Sequence, residues 1–194
     1  MALLAACRCF AMTVYVALLH SIVLDAGRRV VMSDLRAMAE GLGFRDARTL
    51  VSTGNLVFET ASEPVAVIEA RLEEGFRRHF GKHVDIIVRD ASDWKRLAGQ
   101  NPFPEGNGSA VGVRVMRQPL AATHFEKLEK IAPPELRLAL VDGDLWIDFG
   151  DRPSETKLLS HLTTKKLGVG TLRNANTVNG LNAMLAAMPD VTRD

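Results

Sequence analysis

Twice along this chain a buried strand is followed by a helix, a two-stranded hairpin, a second helix and a closing strand, and few folds accommodate that order. The first pass opens with Thr13–Leu19 (TVYVALL), an apolar run that reads as a buried strand. His20–Met32 is polar and basic and reads as a long loop with a short strand at Arg29–Met32. Ser33 is placed to cap a helix in which Leu35, Met38, Ala39 and Leu42 recur at i, i+3, i+4 and i+7, with Gly43 as its stop. Arg48–Val51 and Leu56–Phe58 flank Ser52-Thr53-Gly54-Asn55 as a hairpin. Ser62-Glu63-Pro64 then opens a helix with Val65, Ile68, Leu72, Phe76 and Phe80 on one face, ending at Gly81, and Val84–Val88 closes the unit. The order β-α-β-β-α-β is that of the split plait of ferredoxin-like domains.

A linking helix over Asp90–Gln100 and the loop Asn101–Ser109, rich in Pro, Gly and Asn, separate this unit from a second one. Val111–Met116 reads as its first strand, and Thr123-His124-Phe125-Glu126 as a capping box opening a helix that stops before Pro133-Pro134. Arg137–Val141 and Leu145–Phe149 flank Asp142-Gly143, a strong hairpin signal. Ser154 is placed to cap a helix through Lys166, and Val169–Leu172 is the last strand. The two units start roughly 97 residues apart, too far for a solenoid, so the chain reads as a tandem duplication of an α+β plait. The resulting division is a loose extension over 1–11, a first plait over 12–90, a linker over 91–109, a second plait over 110–173, and a C-terminal helix and tail over 174–194. Val178, Leu181, Leu185 and Met188 line one face of that last helix.

Composition limits function more than fold. With 24 Lys and Arg against 23 Asp and Glu, the net charge is only +1, so duplex DNA is not an expected partner. No stretch is apolar for the ~18 residues a membrane span requires, and the first residues lack the basic start and apolar run of a signal peptide. A cytoplasmic protein is expected. Cys7 and Cys9 stand too close to form a relaxed disulfide and read as incidental thiols. The five histidines are scattered without metal-ligand spacing, and no Rossmann or P-loop glycine pattern occurs. No catalytic residue, cofactor or metal is therefore expected.

Topology places the loop His20–Met32, the turn Ser52–Asn55 and Gly81-Lys82-His83 at one end of the first plait. That end carries Arg28, Arg29, Lys82 and two histidines against Asp25. Open glycine turns and guanidinium forks suit phosphate or carboxylate oxygens. His20, Arg28, Arg29, Thr53, Gly54 and Asn55 are accordingly the candidate ligand-binding residues. Arg173, Asn174 and Asn176 join them because Asn side chains both donate and accept. Each also has a structural reading: a hairpin needs Gly and Asn for its geometry, and Asn caps helices. Lys157, Lys165, Lys166 and Arg173 form the one basic cluster that hints at a polyanion. An RNA-recognition motif shares this strand order but needs exposed stacking aromatics, and Tyr15 and Phe58 alone occupy the equivalent strands of the first unit.

From Met12 to about Met188 the chain resembles the DUF1697 family, bacterial proteins of unknown function with two plait-like subdomains. The resemblance is carried by TVYVALL at 13–19, VVMSDLRAMAEGLGFRDARTL at 30–50, STGNLVFE at 52–59, NPF at 101–103 and TLRNANTV at 171–178. Where the family runs from its first strand into Arg-Gly-Ile-Asn and a glycine pair, this chain has His20-Ser21-Ile22-Val23, and Gly27 alone remains of the glycines. The family's Ser-Gly-Asn turn is Thr53-Gly54-Asn55, the tyrosine before it is Leu50, and its Arg-Asn-Trp-Asn-Thr is Arg173-Asn174-Ala175-Asn176-Thr177. The resemblance implies no activity. The reading that follows is a non-catalytic module binding a small anion, nucleotide or RNA phosphate. The alternative is a structural or interaction protein that pairs through its sheets with a second copy or another protein, and an enzyme ranks third.

Overall fold

A computed structural model describes residues 12–150 and 157–188. The first unit contains β1 (Met12–Leu19), α1 (Met32–Gly41), β2 (Arg45–Leu50), β3 (Asn55–Ala61), α2 (Val65–Phe80) and β4 (Ile86–Asp90). Its strands form one antiparallel sheet in the order β2-β3-β1-β4. After the linking helix α3 (Ala91–Gly99) come β5 (Val111–Met116), α4 (Ala122–Ile131), β6 (Arg137–Val141) and β7 (Asp144–Asp148). A 3-10 turn at Lys157–His161, the four-residue helix α5 (Thr164–Leu167), β8 (Gly170–Asn174) and α6 (Ala175–Ala186) complete the chain. The second sheet repeats the first, β6-β7-β5-β8. The fold is α+β, two ferredoxin-like plaits in sequence.

The strands of β1 are apolar on both faces, and both faces are covered. Tyr15, Ala17 and Leu19 point to α1 and α2, where they meet Leu35, Met38, Ile68, Leu72 and Phe76. Val16 and Leu18 point the other way, with Val57 and Ile87, and meet Val111, Val113, Val115 and Trp146 of the second sheet. The two sheets thus pack face to face, with Trp94 of α3 and Val178, Leu181 and Leu185 of α6 sealing the same core. The outer face of the second sheet, with Leu145, Ile147 and Phe149, packs on Leu128 of α4 and on Leu158 and Leu162. The middle core belongs to both plaits. Tyr15 and Phe58 lie on the helix side of the first sheet, 2 % and 0 % exposed, so they offer nucleic acid no stacking surface.

Helix starts depart from expectation. α1 begins at Met32 behind Val31, so Ser33 sits inside the first turn, where its hydroxyl meets Asp34 instead of capping. α4 begins at Ala122 behind Ala121, with no side-chain cap, so Thr123–Glu126 is not a capping box. In both cases the residue before the helix, Val31 or Ala121, is exposed and has extended backbone (ψ 132° and 142°), and the helix starts directly after it. The helix expected to run through Lys166 is divided into the 3-10 turn and α5; the cap assigned to Ser154 lies outside the described residues, as do Cys7, Cys9 and the extension over 1–11. The loop after β1 is a small hairpin: the Leu24 N–H donates to Arg28 O (2.7 Å) and the Val30 N–H to Ile22 O (2.9 Å), around a 3-10 turn at Asp25–Gly27. Among the described residues no helix is long and apolar enough to cross a membrane.

Candidate functional site

The hairpin between β2 and β3 pairs Leu50 with Asn55 and leaves Val51–Gly54 as its turn. Val51 and Gly54 have positive φ (48° and 76°). Gly54 is required twice over. Its conformation is left-handed, and a Cβ there would stand 2.7 Å from Ile22 Cγ2 and 2.9 Å from Leu19 Cβ. Gly54→Val is therefore expected to cost about 2 kcal/mol or more, as backbone strain and overpacking add; urea unfolding checks this, and an unchanged midpoint would refute the assignment.

Asn55 is fully buried, and its amide donates to Leu50 O (3.0 Å) and Thr53 Oγ1 (2.9 Å). Its remaining oxygen faces Arg173, which β8 delivers from the second plait. Arg173 Nε donates to Asn55 Oδ1 (2.5 Å), Nη2 to Leu19 O (2.8 Å) and Thr53 O (3.2 Å), and Nη1 to Thr171 Oγ1 (2.7 Å) and Leu172 O (2.9 Å). Arg173 is 8 % exposed and among the described residues its guanidinium meets no carboxylate; burial lowers its pKa to about 10, which leaves it charged at neutral pH. Thr53, Gly54, Asn55 and Arg173, far apart in sequence, are thus brought together as a joint between the plaits, with their polar groups satisfied inside the fold. Arg173 is accordingly absent from the surface cluster of Lys165 and Lys166.

The other nominated residues divide. Asn174 is the N-cap of α6, its side chain accepting from the Thr177 N–H (2.9 Å), while Asn176 is exposed. His20 Nδ1 lies 3.0 Å from Gly170 O and ties the end of β1 to β8. Arg28 and Arg29 are exposed, and among the described residues neither has an acidic partner. They sit on the return arm of the 20–31 hairpin. Its outgoing arm lies between them and the 51–54 turn: Ile22 bonds Val30 on one side and covers Gly54 on the other. Lys82 reaches the same loop at Val23 O (3.0 Å).

Sequence reasoning missed a second polar region. A cleft of about 320 Å³ between the halves is lined by Arg89, Arg96, Arg117, Asp93, Asp142 and Asp144, among others. Arg117, from the second plait, reaches Glu69 (3.4 Å), Glu73 and Asp85 (3.7 Å) of the first, and Ile86 O (2.9 Å). Arg89, from the first, reaches Met116 O and Asp144 (3.5 Å) of the second, and Arg96 bridges Asp93 (2.9 Å) and Asp142 (3.3 Å). Isolated arginines and carboxylates on helix faces and at strand ends look like surface charge in a sequence. Burial pushes Asp144 up to about 6 against the opposing pull of Arg89, and burial likewise raises Glu69. Every arginine of this cleft is already paired, and its three lining carboxylates match its three guanidiniums. It latches the plaits together and does not suit an anion. Among the described residues no cluster of three His, Cys, Asp or Glu side chains is placed to hold a metal ion.

The solved structure of the conserved bacterial protein SP0830 from Streptococcus pneumoniae aligns with a TM-score of 0.72 over 90 % of this chain and 99 % of that one, at 21 % identity. That likeness establishes the fold. A chlorite dismutase candidate, TA0507, aligns at a TM-score of 0.28 and 10 % identity over 87 % of this chain and 99 % of its own, which supports no argument. No curated protein matches the sequence. The family model described as a protein of unknown function (DUF1697) matches residues 12–146, well over half of the chain, and the chain belongs to that family.

Proposed function

We propose that the protein is a non-catalytic binder of small anions, a nucleotide or RNA phosphate being the favoured class, and that the ligand sits at the basic end of the first plait. The observation that carries this reading is the pair Arg28 and Arg29. They are exposed on a hairpin whose other arm packs on Gly54, and among the described residues they lack the acidic partners that occupy Arg89, Arg96 and Arg117 elsewhere. A guanidinium with no internal partner is free to fork onto phosphate or carboxylate oxygens. His20, Gly54, Asn55 and Arg173 support this end from beneath by fixing the turn against which the hairpin packs.

The test is a thermal-shift titration with inorganic phosphate, nucleotides and short RNAs. A ligand at 100 times its Kd adds about 2.7 kcal/mol, roughly 5–10 °C for a chain of this size. Arg28→Ala with Arg29→Ala is expected to keep the unliganded midpoint and to lose that shift. A shift that survives in the double variant places the ligand elsewhere, and no shift from any anion refutes the reading.

A further inference from the structure

Each sheet has two edge strands, and three of the four are closed by the chain itself. On β4 the N–H groups of Ile86 and Val88 donate to Glu73 (3.0 Å) and Glu69 (3.0 Å) of α2. On β8 the carbonyls of Gly170 and Leu172 are taken by His20 (3.0 Å) and Arg173 (2.9 Å). On β2 the pairing is interrupted between Arg45 and Arg48, where Asp46 has φ 48° and pairs with Arg48 (2.6 Å). A bulge and a charge pair are standard protections of an exposed edge.

β6 has no bulge. Its one charged residue, Arg137, stands at its end, paired with Asp148 (2.6 Å) of β7 and with Glu105 (2.5 Å), which leaves the rest of the edge uncharged. The strand runs Arg-Leu-Ala-Leu-Val in register with β7 from Arg137↔Asp148 to Val141↔Asp144. The connecting Asp142-Gly143 has φ of 49° and 85°, the two positive values of a type I′ turn. That turn makes Val141↔Asp144 a hydrogen-bonded pair, so Arg137, Ala139 and Val141 direct their backbone groups to β7. Leu138 and Leu140 therefore direct both N–H and C=O outward, and among the described residues nothing bonds to them.

We propose that β6 is a homodimer interface, in which the strand pairs antiparallel with β6 of a second copy and joins the two second-plait sheets into one. The occupant follows from the pattern. With the twofold axis at Ala139, Leu138 faces the partner copy's Leu140 as a hydrogen-bonded pair, which satisfies all four outward groups per strand. Arg137 then faces an aliphatic Val141 and not a second arginine, so no like charges meet. The inner sheet faces are already buried against each other, so this edge is where sheet pairing between chains remains open. The inference does not depend on the anion site.

Light scattering on the full chain tests it, together with Ala139→Cys in a background of Cys7→Ser and Cys9→Ser. At the twofold, Ala139 is a non-hydrogen-bonded pair with Cα atoms about 4.5 Å apart, within disulfide reach. The expected results are a doubled mass for the native chain and oxidative crosslinking of Ala139→Cys but not of Leu138→Cys. Leu138→Pro removes an outward N–H that bonds nothing among the described residues, so it should leave a folded monomer with the native circular dichroism spectrum. A native monomer at the highest soluble concentration would overturn the proposal. So would a dimer that persists in Leu138→Pro, or one that crosslinks through Leu138→Cys in place of Ala139→Cys.

Discussion

Arg173→Ala is expected to lower stability by about 3–5 kcal/mol, since hydrogen bonds to a charged group are worth about 1.5–3 kcal/mol each and buried acceptors left behind carry their own penalty. The substitution strips partners from Leu19 O, Thr53 O and Asn55 Oδ1, all facing an interior joint. For a domain this large, that is a fall in Tm on the order of 6–20 °C. Arg173→Lys should not restore it, because one ammonium cannot span acceptors on both β1 and the 51–54 turn. Asn55→Ala should be markedly non-additive with Arg173→Ala, because the two share one bond. A residue serving only an external ligand would behave otherwise: Tm would stay unchanged while ligand affinity fell, and that outcome in a thermal melt would contradict the clamp.

Asp144→Asn is expected to stabilise the protein at neutral and alkaline pH. The carboxyl is 7 % exposed, and burial raises its pKa to about 6 although Arg89 pulls the other way. A carboxyl whose folded value lies above its unfolded value favours folding when protonated. Its favourable contribution is complete below about pH 4 and is lost as pH rises through 6. Two pKa steps correspond to at most about 3 kcal/mol. Asparagine keeps an oxygen for the Met116 N–H, which Asp144 now accepts at 2.7 Å, and removes the buried charge. The stability difference between variant and native chain should therefore be flat below pH 4, grow through pH 6 and level off by pH 8. The half-buried Glu74, held down to about 2 by Arg77 and Arg78, acts with the opposite sign but cancels in that difference. Urea midpoints across this pH range check it, and a difference independent of pH would contradict it.

The order of elements was legible because periodicity reports burial directly. The stripe Ile68, Leu72, Phe76 is buried in α2, and Val178, Leu181, Leu185 in α6, as their spacing requires. Asp142-Gly143 takes the turn its residues favour. Helix starts were less legible: at Ser33 and Thr123 a good capping residue is present, but helical geometry begins one residue earlier, at Met32 and Ala122, behind residues with no side-chain cap. The sheet-to-sheet core left one signal, the apolar character of β1 on both faces, since a plait with one face in water would alternate. The arginine joints left none. Arg117 finds Glu69 and Glu73 across the fold, and Arg173 finds Asn55, through packing that no local spacing encodes. Thr53, Gly54, Asn55 and Arg173 meet in the structure, and the bond joining Asn55 to Arg173 runs through the interior, where no local spacing announces it.

Urea unfolding followed simultaneously by tryptophan fluorescence and far-ultraviolet circular dichroism asks most directly whether the two plaits share one core. Trp94 and Trp146, both in the middle core, report its opening, while circular dichroism reports the secondary structure of both plaits. Because neither plait can unfold without exposing that core, the two signals are predicted to change together in one transition with a common midpoint. A fluorescence change that is complete while about half of the circular dichroism signal persists would mean that one plait stands alone, and would contradict the joint through Arg173.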